Sequence, residues 1–182
     1  MITKILNVIT LSRILCAILI YLFLFLENNY PIALFLFFTA SFSDFLDGYL
    51  ARKTNSVSVL GEILDPIADK LLIVFVLIGL SINLDSFLIG FISAVIISRE
   101  IWVAALRDIN SRNNQSDKTK VTFLAKTKTA IQMLSILMYL FGLTISNMMV
   151  LFFADIILII ALLVTIQTGF RYTISTFKNE KR

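Results

Sequence analysis

The sequence contains no histidine. That excludes Ser–His triads, phosphohistidine intermediates and imidazole-based zinc or iron sites. Any metal has to rest on carboxylates, which select hard cations such as Mg²⁺ or Mn²⁺. The single cysteine, Cys16, cannot form an internal disulfide and leaves the redox compartment unread. Charge is scarce as well: 15% of the residues are Asp, Glu, Lys or Arg, against about 25% in soluble domains. With 58% hydrophobic residues and a mean hydropathy of +0.90, the chain has too few charges to cover a water-facing surface. The composition therefore predicts a membrane protein, and the 182 residues predict one domain, 1–182.

Six apolar segments predict an all-α polytopic membrane protein with helices at about 2–26, 32–53, 58–82, 87–108, 123–146 and 149–175. Neither a repeat nor a low-complexity tract interrupts them. Lys4 and Arg13 precede an apolar run from Ile14 to Leu26, as in a signal peptide. The run ends in Glu27-Asn28-Asn29-Tyr30-Pro31 rather than in a small-residue cleavage site, which predicts an uncleaved first membrane helix. The stretch from Asp108 to Thr122, with Asn110, Ser111, Asn113, Asn114, Gln115 and Ser116, reads as a solvated loop. Core helices of a soluble protein are the alternative, but six such runs would leave almost no polar face to meet water.

Charge sets the expected orientation. The turns at 27–31, 82–86 and 145–149 contain no Lys or Arg, and all sixteen basic residues fall toward the opposite helix ends. The positive-inside rule then places both termini and the basic connections in the cytoplasm, a parity that six spans satisfy. Arg13, Asp44, Asp69, Arg99 and Gln132 each lie thirteen or fourteen residues from an outer turn. At ~1.5 Å per residue that is about 20 Å, so five helices carry polar groups into one plane of a hydrocarbon core roughly 30 Å thick. The plane predicts a polar cavity facing the cytoplasm.

The densest chemistry is Asp44-x2-Asp47-Gly48-x2-Ala51-Arg52, then, after eight residues, Gly61-x3-Asp65-x3-Asp69. Spacings of i,i+3 and i,i+4 put each carboxylate pair on one helix face. Gly48, Ala51 and Gly61 leave room for close approach to the backbone. Four carboxylates at membrane depth cost about 2.5–3.5 kcal/mol each, and two divalent cations would cancel their charge. Paired metals are a known clamp for displacement at phosphorus. A structural network with Arg52, Lys53 and Lys70 is the bland alternative; four acids with interleaved glycines disfavour it. Pro66 either kinks this helix or marks its first turn.

The spacing D-x2-D-G-x2-A-R-x8-G-x3-D-x3-D resembles, at every fixed position, the signature of the CDP-alcohol phosphatidyltransferase family. The resemblance implies a six-helix membrane fold, dimeric as a rule, with a carboxylate-bound pair of Mg²⁺ or Mn²⁺ ions and release of CMP. Carried over residue by residue, it implies that Asp44, Asp47, Asp65 and Asp69 are metal ligands and that Asp69 is also the catalytic base. It further implies that Asp44, Gly48, Ala51, Arg52 and Gly61 bind CDP-diacylglycerol.

Further stretches resemble the branch of that family whose acceptor is sn-glycerol 3-phosphate. They are Asn7-x2-Thr10-x2-Arg13, Asp65-Pro66-x-Ala68-Asp69-Lys70-Leu71, Arg99-Glu100-Ile101, Arg107 and Lys126-x-Lys128-Thr129-x2-Gln132. Asn7, Thr10 and Arg13 read equally well as the polar stripe of an interfacial helix. An acceptor phosphate needs fixed cations, and Arg99, Arg107, Lys126 and Lys128 are the candidates; Arg112, Lys118 and Lys120 read as positive-inside anchors. Inositol phosphate is the nearest rival acceptor, and serine a more distant one. A carboxylate-based cation-coupled transporter is the rival class, disfavoured because no repeat is visible. The expected setting is a homodimer in the cell inner membrane, multi-pass, with lipid as a partner and no nucleic acid. Arg171 and Tyr172 read as interfacial anchors, and the sequence assigns Asp155 no role.

Overall fold

The structure, a computed structural model, describes residues 2–25, 29–54, 59–114 and 123–178, with side chains at 2–6, 44–54, 59–60, 62–63 and 123–126 outside the described part. The described residues form six helices and no strand: α1 (Ile2–Phe23), α2 (Tyr30–Thr54), α3 (Val59–Asn83), α4 (Phe87–Arg112), α5 (Phe123–Thr144) and α6 (Met148–Phe177). Packing runs around a closed ring. α1 touches α2, α2 touches α5, α5 touches α6, α6 touches α4, α4 touches α3 and α3 returns to α1, while α3 and α5 also meet across the middle.

Each buried face follows helical spacing. Ala17, Ile20 and Leu24 of α1 pack with Leu72, Val76 and Leu80 of α3 and with Ile136, Tyr139 and Leu140 of α5 in one core. Close approach of α1 and α3 depends on Gly79, where an added Cβ would lie 2.7 Å from Cδ1 of Leu24. The outer faces are apolar too: Leu15, Phe35, Phe87, Ile101, Phe152 and Leu163 are all exposed. An apolar exterior around a helical ring suits lipid rather than water. α4 and α6 are long and apolar enough to cross a membrane, and Asn7–Phe23 and Tyr30–Ser43 are shorter apolar stretches.

Two of the connections share one design. Asp85 (φ 46°) and Ser146 (φ 50°) adopt the left-handed conformation. The next amides, of Ser86 and Asn147, return to the carbonyls of Ser81 and Gly142 at 2.9 Å each, the closure of a Schellman motif. Ser86 and Asn147 then cap α4 and α6, their side chains accepting from Ile89 N and from Met149 N and Val150 N.

Two expectations need correction, and one open reading closes. α4 runs on to Arg112, so Asn110 and Ser111 are helical rather than part of a loop. Asn110 is buried, its Nδ2 donating to Oγ1 of Thr176 at 2.9 Å; its polarity serves a contact with α6, which a hydropathy reading takes for solvation. Tyr172 is not an interfacial anchor but is buried with Val103 and Leu106. Of the two readings of Pro66, the structure takes the interior one: it lies inside α3 and, lacking an N–H, leaves the carbonyl one turn earlier without its helical donor.

Candidate active site

A cavity of about 620 Å³ opens among α3, α4 and α5, and its polar wall carries Asp65, Asp69, Lys70, Arg99, Glu100, Arg107, Lys128 and Gln132. Five residues singled out in the sequence, Asp65, Asp69, Arg99, Arg107 and Lys128, thus meet at one place. Asp44, Asp47, Gly48, Ala51 and Arg52 sit on α2 and Lys126 on α5, with their side chains outside the described part. Gly61 sits on α3 one turn before Asp65.

On one side are the carboxylates. Asp65 and Asp69 are successive turns of α3, and α1 presents Thr10 and Arg13 in matching register. Oγ1 of Thr10 donates to Oδ1 of Asp65 at 2.7 Å, and Nη1 of Arg13 donates to Oδ1 of Asp69 at 2.7 Å. Thr10 and Arg13 are each only 1% exposed, so they are not the polar stripe of an interfacial helix. Buried charge of this kind persists only when paired and hydrogen-bonded.

The other side is cationic and centres on Glu100. Arg99 Nη1 donates to Glu100 Oε1 at 2.9 Å, Lys128 Nζ donates to the same oxygen, and Lys70 Nζ lies 3.7 Å from Oε2. α6 fixes Arg99 further: Nη2 donates to Oγ1 of Thr168 at 2.8 Å. Gly169 faces the Arg99 stem, where a Cβ would come within 3.1 Å of Cγ. The guanidinium carbons of Arg99 and Arg107 both lie 5.7 Å from the centroid of the Tyr172 ring, a cation–π arrangement that holds two like charges near one another. Nε of Arg99 and Nε of Arg107 are buried with no hydrogen-bond partner among the described residues. Orphaned guanidinium donors on a cavity wall suit an anion. At the floor, Gln132 Nε2 donates to Oγ1 of Thr165 at 3.1 Å.

Sequence reasoning gave Glu100, quoted only within the Arg99-Glu100-Ile101 stretch, and Thr168 no part in the site, and took Tyr172 for an anchor. Glu100 had a usable signal, since it is the only acidic residue of α4 before Asp108. Thr168 and Tyr172 had none, because a threonine and a tyrosine in an apolar helix announce no partner. Asp155, left without a role, accepts from the Tyr139 hydroxyl and ties α6 to α5 farther along the helices from the cavity.

The donor set near Asp65 and Asp69 is carboxylate oxygen, the chemistry that Mg²⁺ and Mn²⁺ prefer. Among the described residues no group of three or more candidate ligands converges, and Asp44 and Asp47, the other two of the motif, are outside them.

A chain with this motif, this helical ring and a cavity divided between carboxylates and guanidinium groups has the parts for transfer at phosphorus, and comparison with known proteins bears that out. The CDP-alcohol phosphatidyltransferase profile matches residues 4–167, and the chain belongs to that family. Among its relatives, the CDP-diacylglycerol–glycerol-3-phosphate 3-phosphatidyltransferase of Rickettsia bellii is 40% identical over 171 residues, 91% of each chain. The protein of that name from Rickettsia felis is 37% identical over the same share. The one from Haemophilus influenzae is 37% identical over 111 residues, 61% of this chain and 60% of its own.

Proposed function

We propose that this enzyme transfers the phosphatidyl group of CDP-diacylglycerol to sn-glycerol 3-phosphate, giving phosphatidylglycerophosphate and CMP. The observation that carries this reading is the divided cavity, with Asp65 and Asp69 on one wall and the unpartnered Nε atoms of Arg99 and Arg107 on the other. The names of relatives that match over nine-tenths of the chain support the same acceptor.

In the reaction, an acceptor hydroxyl oxygen forms a bond to the phosphorus that bears diacylglycerol. The bond from that phosphorus to the oxygen of CMP breaks, and CMP departs with the bonding pair. Asp69 takes the hydroxyl proton, and Arg13 and Thr10 aim Asp69 and Asp65 into the cavity. Arg99, Arg107, Lys126 and Lys128 hold the acceptor phosphate, so that two bound reactants meet in a fixed geometry. Gly48, Ala51 and Gly61 leave space for the cytidine diphosphate, with Arg52 beside it. Two divalent cations on Asp44, Asp47, Asp65 and Asp69 would supply the Lewis acidity that draws charge from the diphosphate.

The donor's acyl chains have a matching place. An apolar groove of about 590 Å³ between α2 and α5 includes Leu34, Phe35, Phe38, Leu137 and Phe141. A smaller one shares Phe38 and Leu137 and continues to Phe42, toward the Asp44 end of α2. The same reading takes all six helices as spans of the cell inner membrane, with both termini and the cavity mouth cytoplasmic, and the protein as a homodimer. The test is CMP release from CDP-diacylglycerol by purified protein offered glycerol 3-phosphate, inositol phosphate, inositol and serine in turn. Turnover with glycerol 3-phosphate alone is expected, and turnover only with serine or free inositol would reassign the acceptor.

A further inference from the structure

Three described carboxylates, Asp65, Asp69 and Glu100, and four cations, Lys70, Arg99, Arg107 and Lys128, line one cavity. In a water-poor site such charges attract strongly at short range, and many pairings are open to flexible lysines. The pairing found is selective. Both lysines have their described ion pairs with Glu100; Lys70 follows Asp69 in the chain but leaves α3 by a different face. Asp69 and Asp65 are served instead by Arg13 and Thr10 from α1.

Resting on the proposed acceptor site, we propose that Glu100 is a positioning residue that sorts these charges, holding Lys70 and Lys128 on the acceptor wall and off the metal-binding aspartates. It sits where α4 faces both α3 and α5, and its two oxygens divide the work: Oε1 takes Arg99 and Lys128, and Oε2 faces Lys70. The arrangement has two effects. Cations that already converge need little rearrangement when an anionic acceptor arrives. Ammonium groups held away from Asp65 and Asp69 do not compete with Mg²⁺ or Mn²⁺ for the same oxygens.

Glu100→Gln removes the charge and keeps the shape. Manganese binding is measured first, with no substrate present, from the electron paramagnetic resonance signal of free Mn²⁺ over purified protein. Glu100→Gln is expected to weaken Mn²⁺ binding by roughly tenfold or more, the order seen when a residue that supports metal ligands is lost. Adding Lys70→Met and Lys128→Met to Glu100→Gln removes the stray lysines and is expected to restore Mn²⁺ affinity. In turnover, Glu100→Gln should raise the KM for glycerol 3-phosphate by about tenfold and leave the KM for CDP-diacylglycerol within about twofold. Unchanged Mn²⁺ binding in Glu100→Gln overturns the proposal, and so does equal weakening in the single and triple variants. If Glu100→Gln does not fold, Glu100→Asp, which keeps the charge but draws it back by one methylene, is expected to show the same two changes in smaller measure; parent-like values there overturn it equally. If the parent protein ignores glycerol 3-phosphate, the acceptor assignment fails while the Mn²⁺ measurements still decide the role of Glu100.

Discussion

Nη1 of Arg13, on the first helix, lies 2.7 Å from Oδ1 of Asp69, on the third, and the arginine side chain is fully buried while the aspartate is 29% exposed. The arginine is thus the hidden member of the pair and the carboxylate the one that reaches the cavity. The bond therefore aims Asp69 as well as neutralising it.

Replacing Arg13 by Met keeps most of the stem and removes the charge. Breaking a buried pair from one side costs about 3 kcal/mol or more, so a drop in melting temperature in detergent is expected. CMP release should fall further than stability explains, because Asp69 loses its orientation. Full kcat in a folded Arg13→Met protein would show that the bond is structural only.

Metal removal gives the second expectation. With carboxylates as the clustered ligands, excess chelator should abolish CMP release, and either Mg²⁺ or Mn²⁺ should restore it. Asp44→Asn, Asp47→Asn, Asp65→Asn and Asp69→Asn should each lower kcat by about a hundredfold or more, the scale of a lost electrostatic stabiliser. Turnover that persists in chelator counts against a metal pair.

Arg99→Ala removes a guanidinium fixed by Glu100, Thr168 and Tyr172. The KM for glycerol 3-phosphate should rise steeply while that for CDP-diacylglycerol stays nearly constant. Arg107→Ala, whose guanidinium lies against the same tyrosine ring, should act in the same direction. A rise in both KM values together would place Arg99 on the donor instead.

Topology can be read by labelling. In a Cys16-free background, cysteines at Asn29, Asp85 and Asn147 should react with an impermeant thiol reagent from outside intact cells. Cysteines at Asn114 and Lys181 should react only once the membrane is opened. Outside labelling at Asn114 reverses the orientation and puts the cavity on the wrong face.

Tyr139→Phe separates stability from activity. The tyrosine is buried and its hydroxyl donates to Asp155, so its loss leaves a carboxylate short of a partner and should cost about 1–3 kcal/mol. Neither substrate's KM should move, since Tyr139 lies seven residues, ~10 Å, along α5 beyond Gln132 of the cavity wall. A change in the KM for the acceptor would link this bond to the cavity.

The elements were largely legible, because hydropathy breaks and helix ends coincide where the breaks are polar turns. α3, expected at 58–82, is found at Val59–Asn83. The reading failed where a polar residue is used inside the protein: Asn110 ended the predicted α4 too early because its partner, Thr176, comes 66 residues later. At the site, depth brought Asp69, Arg99 and Gln132 toward one place in advance, since each lies thirteen residues from an outer turn; Lys128 was reached through its charge and its place at the start of α5. Glu100 escaped because it sits beside Arg99 and passes for that residue's neighbour, although it joins three cations from three helices. Thr10 and Arg13 stayed ambiguous because only α3, more than fifty residues on, shows which way they face.

The order of the helices along the chain gives this charge arrangement a schedule during synthesis. Arg13 leaves the ribosome 56 residues ahead of Asp69, so the first guanidinium to enter the bilayer is matched as soon as the third helix joins it. Arg99 waits longer: Thr168, its anchor on the last helix, emerges 69 residues later. The carboxylate wall is therefore complete while the acceptor wall is still loose. A nascent chain that stalls before α6 carries the aspartates and their Arg13 partner, but the Arg99 guanidinium of the acceptor wall lacks its Thr168 anchor. The last helix brings no reactive group, yet its arrival is what turns an inserted polypeptide into a working enzyme.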